Sequence, residues 1–149
     1  MYDTIAEGYD ELYGEEQERK LKKIAYVIKG RVLDIGAGTG IVAKHFPNVV
    51  SLDPSWKMLK KAPGLKVLGM AEYLPFKADS FDTIVSLTAL HHTHITKVIQ
   101  ELKRLKPKQM AFSILKKSKQ CESIVNHMQK AFPNVEIIEE EKDIILIIK

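Results

Sequence analysis

Val32-Leu33-Asp34-Ile35 runs without a break into Gly36-Ala37-Gly38-Thr39-Gly40. An apolar strand pattern that meets glycines at alternate positions builds a loop that hugs a ligand, because glycine takes positive φ without a Cβ clash and lets the backbone approach with no side chain between. A second apolar run, Val49-Val50-Ser51-Leu52, closes on Asp53, thirteen residues after Gly40. A carboxylate at the end of the second strand is where a doubly wound sheet accepts both hydroxyls of a ribose. The ligand is therefore expected to contain a nucleoside, although Asp53 could also merely cap the helix after Pro54.

The glycine spacing separates the nucleoside cofactors. A dinucleotide fingerprint reads G-x-G-x-x-G, its helix N-terminus facing a pyrophosphate. Here the spacing is G-x-G-x-G behind Asp34. An acidic residue at that point is a poor neighbour for a pyrophosphate and a good one for a cationic amino group. That favours a cofactor with an amino-acid tail over a nicotinamide dinucleotide.

Strand and helix patterns alternate along the chain as a parallel α/β fold requires. Leu21, Ile24, Ala25 and Ile28 place a helix over residues 15–29. Strands are expected at 31–35, 49–53, 65–69, 81–87 and 109–115, with helices at 40–46, 55–62 and 95–105, the last ending before Pro107. Cys121, Ile124, Val125, Met128 and Phe132 mark a helix beginning near Ser118. Strands at 135–138 and 144–148 are joined only by residues 139–143, too few for a crossover between parallel neighbours. The final pair must then be an antiparallel hairpin.

A chain of 149 residues is expected to form one domain, with residues 1–29 as an N-terminal helical lid and 30–149 as the core. A second, substrate-binding domain has no room. With 45% hydrophobic and 28% charged residues the composition is that of a soluble globular protein, no apolar run approaches the roughly 20 residues of a membrane span, and Asp3 and Glu7 do not read as a signal peptide. Cys121 is the one cysteine, which excludes an intramolecular disulfide and suits a cytoplasmic protein.

The sequence resembles the class I S-adenosylmethionine-dependent methyltransferases, in the branch of the ubiquinone and menaquinone biosynthesis enzymes. The resemblance runs through nearly the whole chain in order. Val32 to Gly40 is similar to the first motif, and Leu52-Asp53-Pro54-Ser55 with Met58-Leu59 and Ala62 to the second-strand signature. Ala71-Glu72-Tyr73-Leu74-Pro75-Phe76, then Ser80 to Val85, resembles the adenine-side loop and fourth strand, followed by Leu90-His91-His92. Tyr2-Asp3-x-Ile5-Ala6-x-x-Tyr9-Asp10 at the start is also family-like.

The resemblance implies a Rossmann-like three-layer sandwich whose seven-stranded, mostly parallel sheet has the order 3-2-1-4-5-7-6, the last strand antiparallel. It implies S-adenosylmethionine as cofactor. Asp34 would lie beside its amino group, the backbone of Gly36, Ala37, Gly38 and Gly40 along its methionine part, and Asp53 with Pro54 at its ribose. Met58, Ala71 and Glu72 would enclose the adenine, with Leu87 at the end of strand four and Tyr9 either a lid or a hydrophobic latch. Met70 departs from the pattern, since relatives carry an acid there that accepts from the adenine amine.

For the acceptor the sequence leaves several readings. His92, with His91, follows strand four at the ligand-binding edge and could act as general base for a hydroxyl acceptor; no cysteine or well-spaced carboxylate completes a metal set around them. The Asn-Pro-Pro-Tyr signature of many amide and adenine N-methyltransferases is replaced by Ser86-Leu87-Thr88-Ala89. Lys103, Arg104, Lys106, Lys108, Lys116, Lys117 and Lys119 form a basic stretch that would attract RNA if contiguous at the pocket, against a solvated surface otherwise. Leu65, Val67 and Leu68 make the third strand an apolar edge, suited to a small zinc-binding activator of the kind some minimal relatives need. The acceptor itself, small molecule, RNA or protein, stays open, and a catalytically silent cofactor-binding module that needs a partner protein is the alternative to an enzyme.

Overall fold

The computed structural model describes residues 14–149, so Tyr9 and the rest of the expected lid before residue 14 lie outside the described part. Helix α1 covers residues 14–24 and tightens into a 3-10 turn at Ala25–Val27. The strands and helices that follow are β1 (Val32–Ile35), α2 (Ile41–His45), β2 (Val49–Asp53), α3 (Trp56–Leu59), β3 (Leu65–Leu68), β4 (Thr83–Leu87), α4 (Ile95–Leu105), β5 (Gln109–Leu115), α5 (Cys121–Ala131), β6 (Glu136–Glu139) and β7 (Asp143–Ile148). They form one sheet in the order β3-β2-β1-β4-β5-β7-β6. Pairing is parallel from β3 across to β5, and β7 runs antiparallel to both β5 and β6. This is the expected topology.

The sequence pattern explains the layers. β1 and β4 are buried along their whole length, as continuous apolar strands in the middle of a parallel sheet must be. Side chains alternate between faces. Leu33 and Ile35 of β1, Ile84 of β4 and Leu146 of β7 pack with Val98, Leu102 and Leu105 of α4 and Ile124 and Met128 of α5. Val32, Val85, Ile145 and Ile147 face the other way, onto Leu21 and Ile24 of α1 and Val42 of α2. Cys121 is buried at the start of α5, within the first of these layers.

Three helix boundaries need correction. The first helix was expected to reach residue 29, since Ile28 keeps its apolar spacing, yet the chain leaves the helix at Ile28, which is extended. The Thr83 hydroxyl accepts from the Lys29 N–H at 3.1 Å and donates to the Lys29 carbonyl at 2.7 Å, satisfying both groups without a further helical turn. The helix expected from Ser118 starts at Cys121, and α3 is one turn capped by Ser55 and continued by loose turns to Ala62. The basic stretch is not one patch: Lys103, Arg104, Lys106 and Lys108 precede β5, whereas Lys116, Lys117 and Lys119 follow it. Seven residues of strand separate the two groups by roughly 20 Å, so only the second lies at the edge of the sheet where β1, β2 and β4 end.

α1 is fastened to the turn between β6 and β7 by three ion pairs at i, i+4 and i+7 spacing, one face of the helix. Glu16 pairs with Lys142 at 3.0 Å, Lys20 with Asp143 at 3.3 Å, and Lys23 with Glu140. β3 is an edge strand, and Leu65 and Leu68 are 70% and 58% exposed on it. Among the described residues no helix is long and apolar enough to cross a membrane.

Candidate functional site

The carboxyl ends of β1, β2 and β4 open into a cleft of about 930 Å³, near the upper end of the range for small-ligand sites. Its wall is built from the loops that follow those strands: Ile35 and Gly36, then Leu52 to Pro54, then Thr88, Ala89 and His91 to Thr93. Met70, Ala71 and Glu72 close one end. Glu16 and Lys20 of α1, with Leu115 to Lys117 and residues 141–142, close the other.

The glycine loop takes three consecutive alternate positive φ values, +71° at Gly36, +58° at Gly38 and +83° at Gly40. Gly36 and Ala37 both donate to the Leu52 carbonyl, at 2.8 and 2.9 Å, which pins the loop to the end of β2. The glycines serve different ends. A Cβ on Gly36 would stand 2.3 Å from the Ala89 Cβ, and one on Gly40 2.5 Å from the Ala62 Cβ, so both are needed for close packing. At Gly38 a Cβ would meet only the Met58 Cε, at 3.8 Å. The loop is open there.

Asp53 holds this arrangement in place. One carboxylate oxygen accepts from the Gly38 N–H at 2.9 Å and the other from the Ser55 N–H at 2.8 Å. The helix after Pro54 is capped by Ser55 and not by Asp53, whose two amide bonds leave lone pairs on a carboxylate that lines the cleft. Two backbone donors fix the orientation in which those lone pairs are offered.

Asp34 lies one residue before the wall, 2% exposed, and no described residue donates to its carboxyl. Burial, with the nearby Asp53 charge second, pushes its pKa up from 3.8 to about 8. A cation placed beside such a carboxyl would stabilise its charged form and bring the pKa down. The folded form keeps the proton after the unfolded chain has released it, so the ligand-free protein loses stability as pH rises from 3.8 to about 8. Asp34→Asn is expected to flatten that slope and to melt above the wild type at pH 8, with little difference at pH 4; thermal melts at the two pH values test it, and a wild-type melting temperature independent of pH would refute it.

Of the other expected residues, Pro54, Ala71, Glu72 and His92 are on the cleft wall. Ala37, Gly38, Gly40, Met58 and Leu87 are not on it. The Glu72 carboxylate accepts from the His94 N–H at 3.1 Å, tying the 70–76 loop to the N-terminus of α4. His91 and His92 stack at 3.9 Å between ring centroids. Burial, then the His92 charge, holds His91 below its ordinary pKa, and its Nδ1 is buried without a partner among the described residues.

Two groups escaped the sequence reading. Glu101 accepts from the Leu74 N–H at 2.7 Å and from Arg104 Nε at 2.6 Å, while Arg104 donates to the Leu74 and Phe76 carbonyls, both at 2.7 Å. These bonds staple the 71–76 loop to α4. The i, i+3 acid–base pair was the available signal, but its partners lie 27 to 30 residues upstream. The second group, Lys20 with Thr88, Ser113 and Asp143, joins four separate elements and left no local pattern.

Residues 33–112 match the methyltransferase domain family. Among curated relatives, the uncharacterized protein MJ1252 of Methanocaldococcus jannaschii is 39% identical over 113 residues, covering 70% of this chain and 45% of that protein. The ubiquinone/menaquinone biosynthesis C-methyltransferase UbiE of Geotalea daltonii is 34% identical, covering 56% of this chain and 47% of its own. The chain spans about half the length of the curated relatives it matches. Among solved structures, a chain of the complex between the Haloferax volcanii Trm112 methyltransferase activator and a methyltransferase superposes with a TM-score of 0.71 at 17% identity, over 93% of this chain and 76% of that one.

Proposed function

The chain belongs to the methyltransferase domain family, and from that premise we propose that it transfers the methyl group of S-adenosylmethionine to a small-molecule acceptor. The observation that carries this reading is the pairing on one cleft wall of Gly36 with Asp53, locked between the Gly38 and Ser55 amides. Asp53 accepts the ribose hydroxyls, and the Gly36 to Gly40 backbone lies along the methionine part. Asp34 provides the negative charge for the amino group; the ammonium in turn stabilises the charged carboxylate and so opposes the burial that raises its pKa. Ala71 and Glu72 border the adenine, in a loop held by Glu101 and Arg104 and without an acid at Met70.

Bound S-adenosylmethionine supplies a methyl group already activated by its sulfonium. The residues therefore need to align the acceptor within about 3–3.5 Å of the methyl carbon and to exclude water. His92 takes the proton of a hydroxyl acceptor, with His91 neutral beside it because of burial. α1 roofs the acceptor end through Glu16 and Lys20, supporting a lid role for the segment up to residue 29. The division of the basic residues between opposite ends of β5 supports a small acceptor over RNA, which would need one continuous cationic track.

Calorimetric titration with S-adenosylmethionine, S-adenosylhomocysteine and NAD tests the reading. Micromolar binding of the first two and none of NAD is expected. Failure to bind either sulfur nucleoside would leave a shared fold without the donor site.

A second reading concerns the partner. The free edge of β3 presents Leu65 and Leu68, with Trp56, Met70 and Tyr73 also exposed near it, and an unpaired apolar edge invites strand addition. The Haloferax methyltransferase of similar fold is bound to an activator. We propose that a small zinc-binding activator covers this edge. Full activity and a monodisperse monomer in the absence of any partner would end this proposal and leave the first intact.

A further inference from the structure

Thr88, the first residue after β4, has φ +56° and is the only β-branched residue with left-handed backbone among the described residues. That conformation is unfavourable for a branched side chain and persists only where its surroundings impose it. The surroundings are specific. The Thr88 N–H donates to the Ser113 carbonyl at 2.9 Å and lies 3.1 Å from the Ser113 hydroxyl oxygen. Lys20 Nζ donates to Thr88 Oγ1 at 2.8 Å, and the two hydroxyl oxygens of Thr88 and Ser113 are 3.3 Å apart.

Counting protons shows which donor is left over. Only one of the two hydroxyls can donate to the other. Ser113 is 1% exposed, so if Thr88 donated, the Ser113 proton would be buried with no acceptor among the described residues, an expensive arrangement. The favourable arrangement has Ser113 donating to Thr88. Thr88 Oγ1 then accepts from both Lys20 and Ser113, and its own proton is free on a side chain that lines the cleft. Two donors onto one hydroxyl also strengthen it as a donor.

Lys20 is in a similar position. It is 8% exposed, yet it lines the cleft. Of its three N–H groups, one is given to Thr88. Asp143 Oδ1 stands 3.3 Å from the nitrogen but makes no hydrogen bond among the described residues, so it holds the ammonium by charge and leaves the other donors unspent there. The Thr88 oxygen and the Lys20 nitrogen are 2.8 Å apart, a spacing that suits the two oxygens of one carboxylate.

We infer that Thr88 and Lys20 bind a carboxylate of the methyl acceptor, with Ser113 and Asp143 as positioning residues; this rests on the methyltransferase reading. The carboxylate is a handle remote from the methylated atom. A strong donor on the attacking atom would withdraw the electron density needed for displacement at the methyl carbon, so the pair anchors and does not activate. The acceptors are small organic acids that enter from the end of the cleft roofed by α1.

The test uses the full chain saturated with S-adenosylhomocysteine, titrated with 4-hydroxybenzoate, indole-3-acetate and hexanoate, each against its primary amide. At least one acid is expected to bind tenfold or more tightly than its amide. Thr88→Val and Lys20→Met should each abolish that preference, and Thr88→Ser should keep it. If Thr88→Val does not fold, the Lys20→Met and Thr88→Ser pair carries the same comparison. Equal binding of acids and amides, no binding of any acid, or a preference that survives loss of the hydroxyl or the ammonium overturns the inference. The saturation step separates the two failures, since a chain that does not bind S-adenosylhomocysteine fails the methyltransferase reading itself.

Discussion

Asp53→Ala is expected to weaken S-adenosylhomocysteine binding by about a hundredfold to a thousandfold. Two charge-assisted hydrogen bonds to the ribose hydroxyls contribute about 3–4 kcal/mol together, at roughly 1.4 kcal/mol per tenfold in affinity. The side chain also satisfies the amides of Gly38 and Ser55, so the ligand-free protein should lose about 1–2 kcal/mol of stability as well. Asp53→Asn distinguishes the effects. An amide retains one acceptor oxygen, so it can keep one backbone bond while losing the charge that the hydroxyls prefer. Calorimetry beside thermal melts reads both quantities; a folded Asp53→Ala chain with wild-type affinity would remove the central support for the donor site.

The glycine loop gives the second large effect, because two of its glycines should fail in opposite ways. Gly36→Ala places a Cβ 2.3 Å from the Ala89 Cβ at φ +71°, so strand β1 and the loop after β4 must move apart. We expect a loss of about 2–4 kcal/mol, a fall in melting temperature of roughly 4–16 °C for a domain of this size. Gly38→Ala meets nothing closer than 3.8 Å. Its stability cost should be limited to the left-handed backbone, about 1 kcal/mol. In the proposed complex the methionine part runs along this backbone and the added methyl group would crowd it, so S-adenosylhomocysteine affinity should fall at least tenfold. Equal stability losses in the two variants, or undiminished binding by Gly38→Ala, would contradict this division.

What the sequence made legible follows from which constraints are local. The short link between β6 and β7 allows only a hairpin, and the buried apolar runs of β1 and β2 allow only interior strands. The part of the cleft wall formed by Gly36, Asp53 and Pro54 was readable because these residues sit in the turns directly after those strands. Where a distant group decides, local patterns mislead. The end of α1 is set by the Thr83 hydroxyl, 54 residues away, and the apolar spacing of Ile28 carries no trace of it. The lysines around β5 are neighbours in sequence and lie at opposite ends of a strand. Thr88 could not be singled out at all, since its importance comes from Lys20 at a separation of 68 residues and from a backbone angle that a threonine would not choose.

The three ion pairs between α1 and the turn after β6 also bear on how the molecule assembles. Glu16 reaches Lys142 across 126 residues and Lys23 reaches Glu140 across 117, so these are among the longest loop closures the chain can make. Contacts of such high sequence separation form late, after nearer strands have paired. On a chain emerging from its amino end, β1 to β4 and the loops after them are synthesised well before β7 exists to receive Lys20. The end of the cleft bordered by α1 is therefore completed only when β7 has been inserted between β5 and β6. A partly synthesised chain would carry the glycine loop and Asp53 and lack the fastening that holds Glu16 and Lys20 over the cleft.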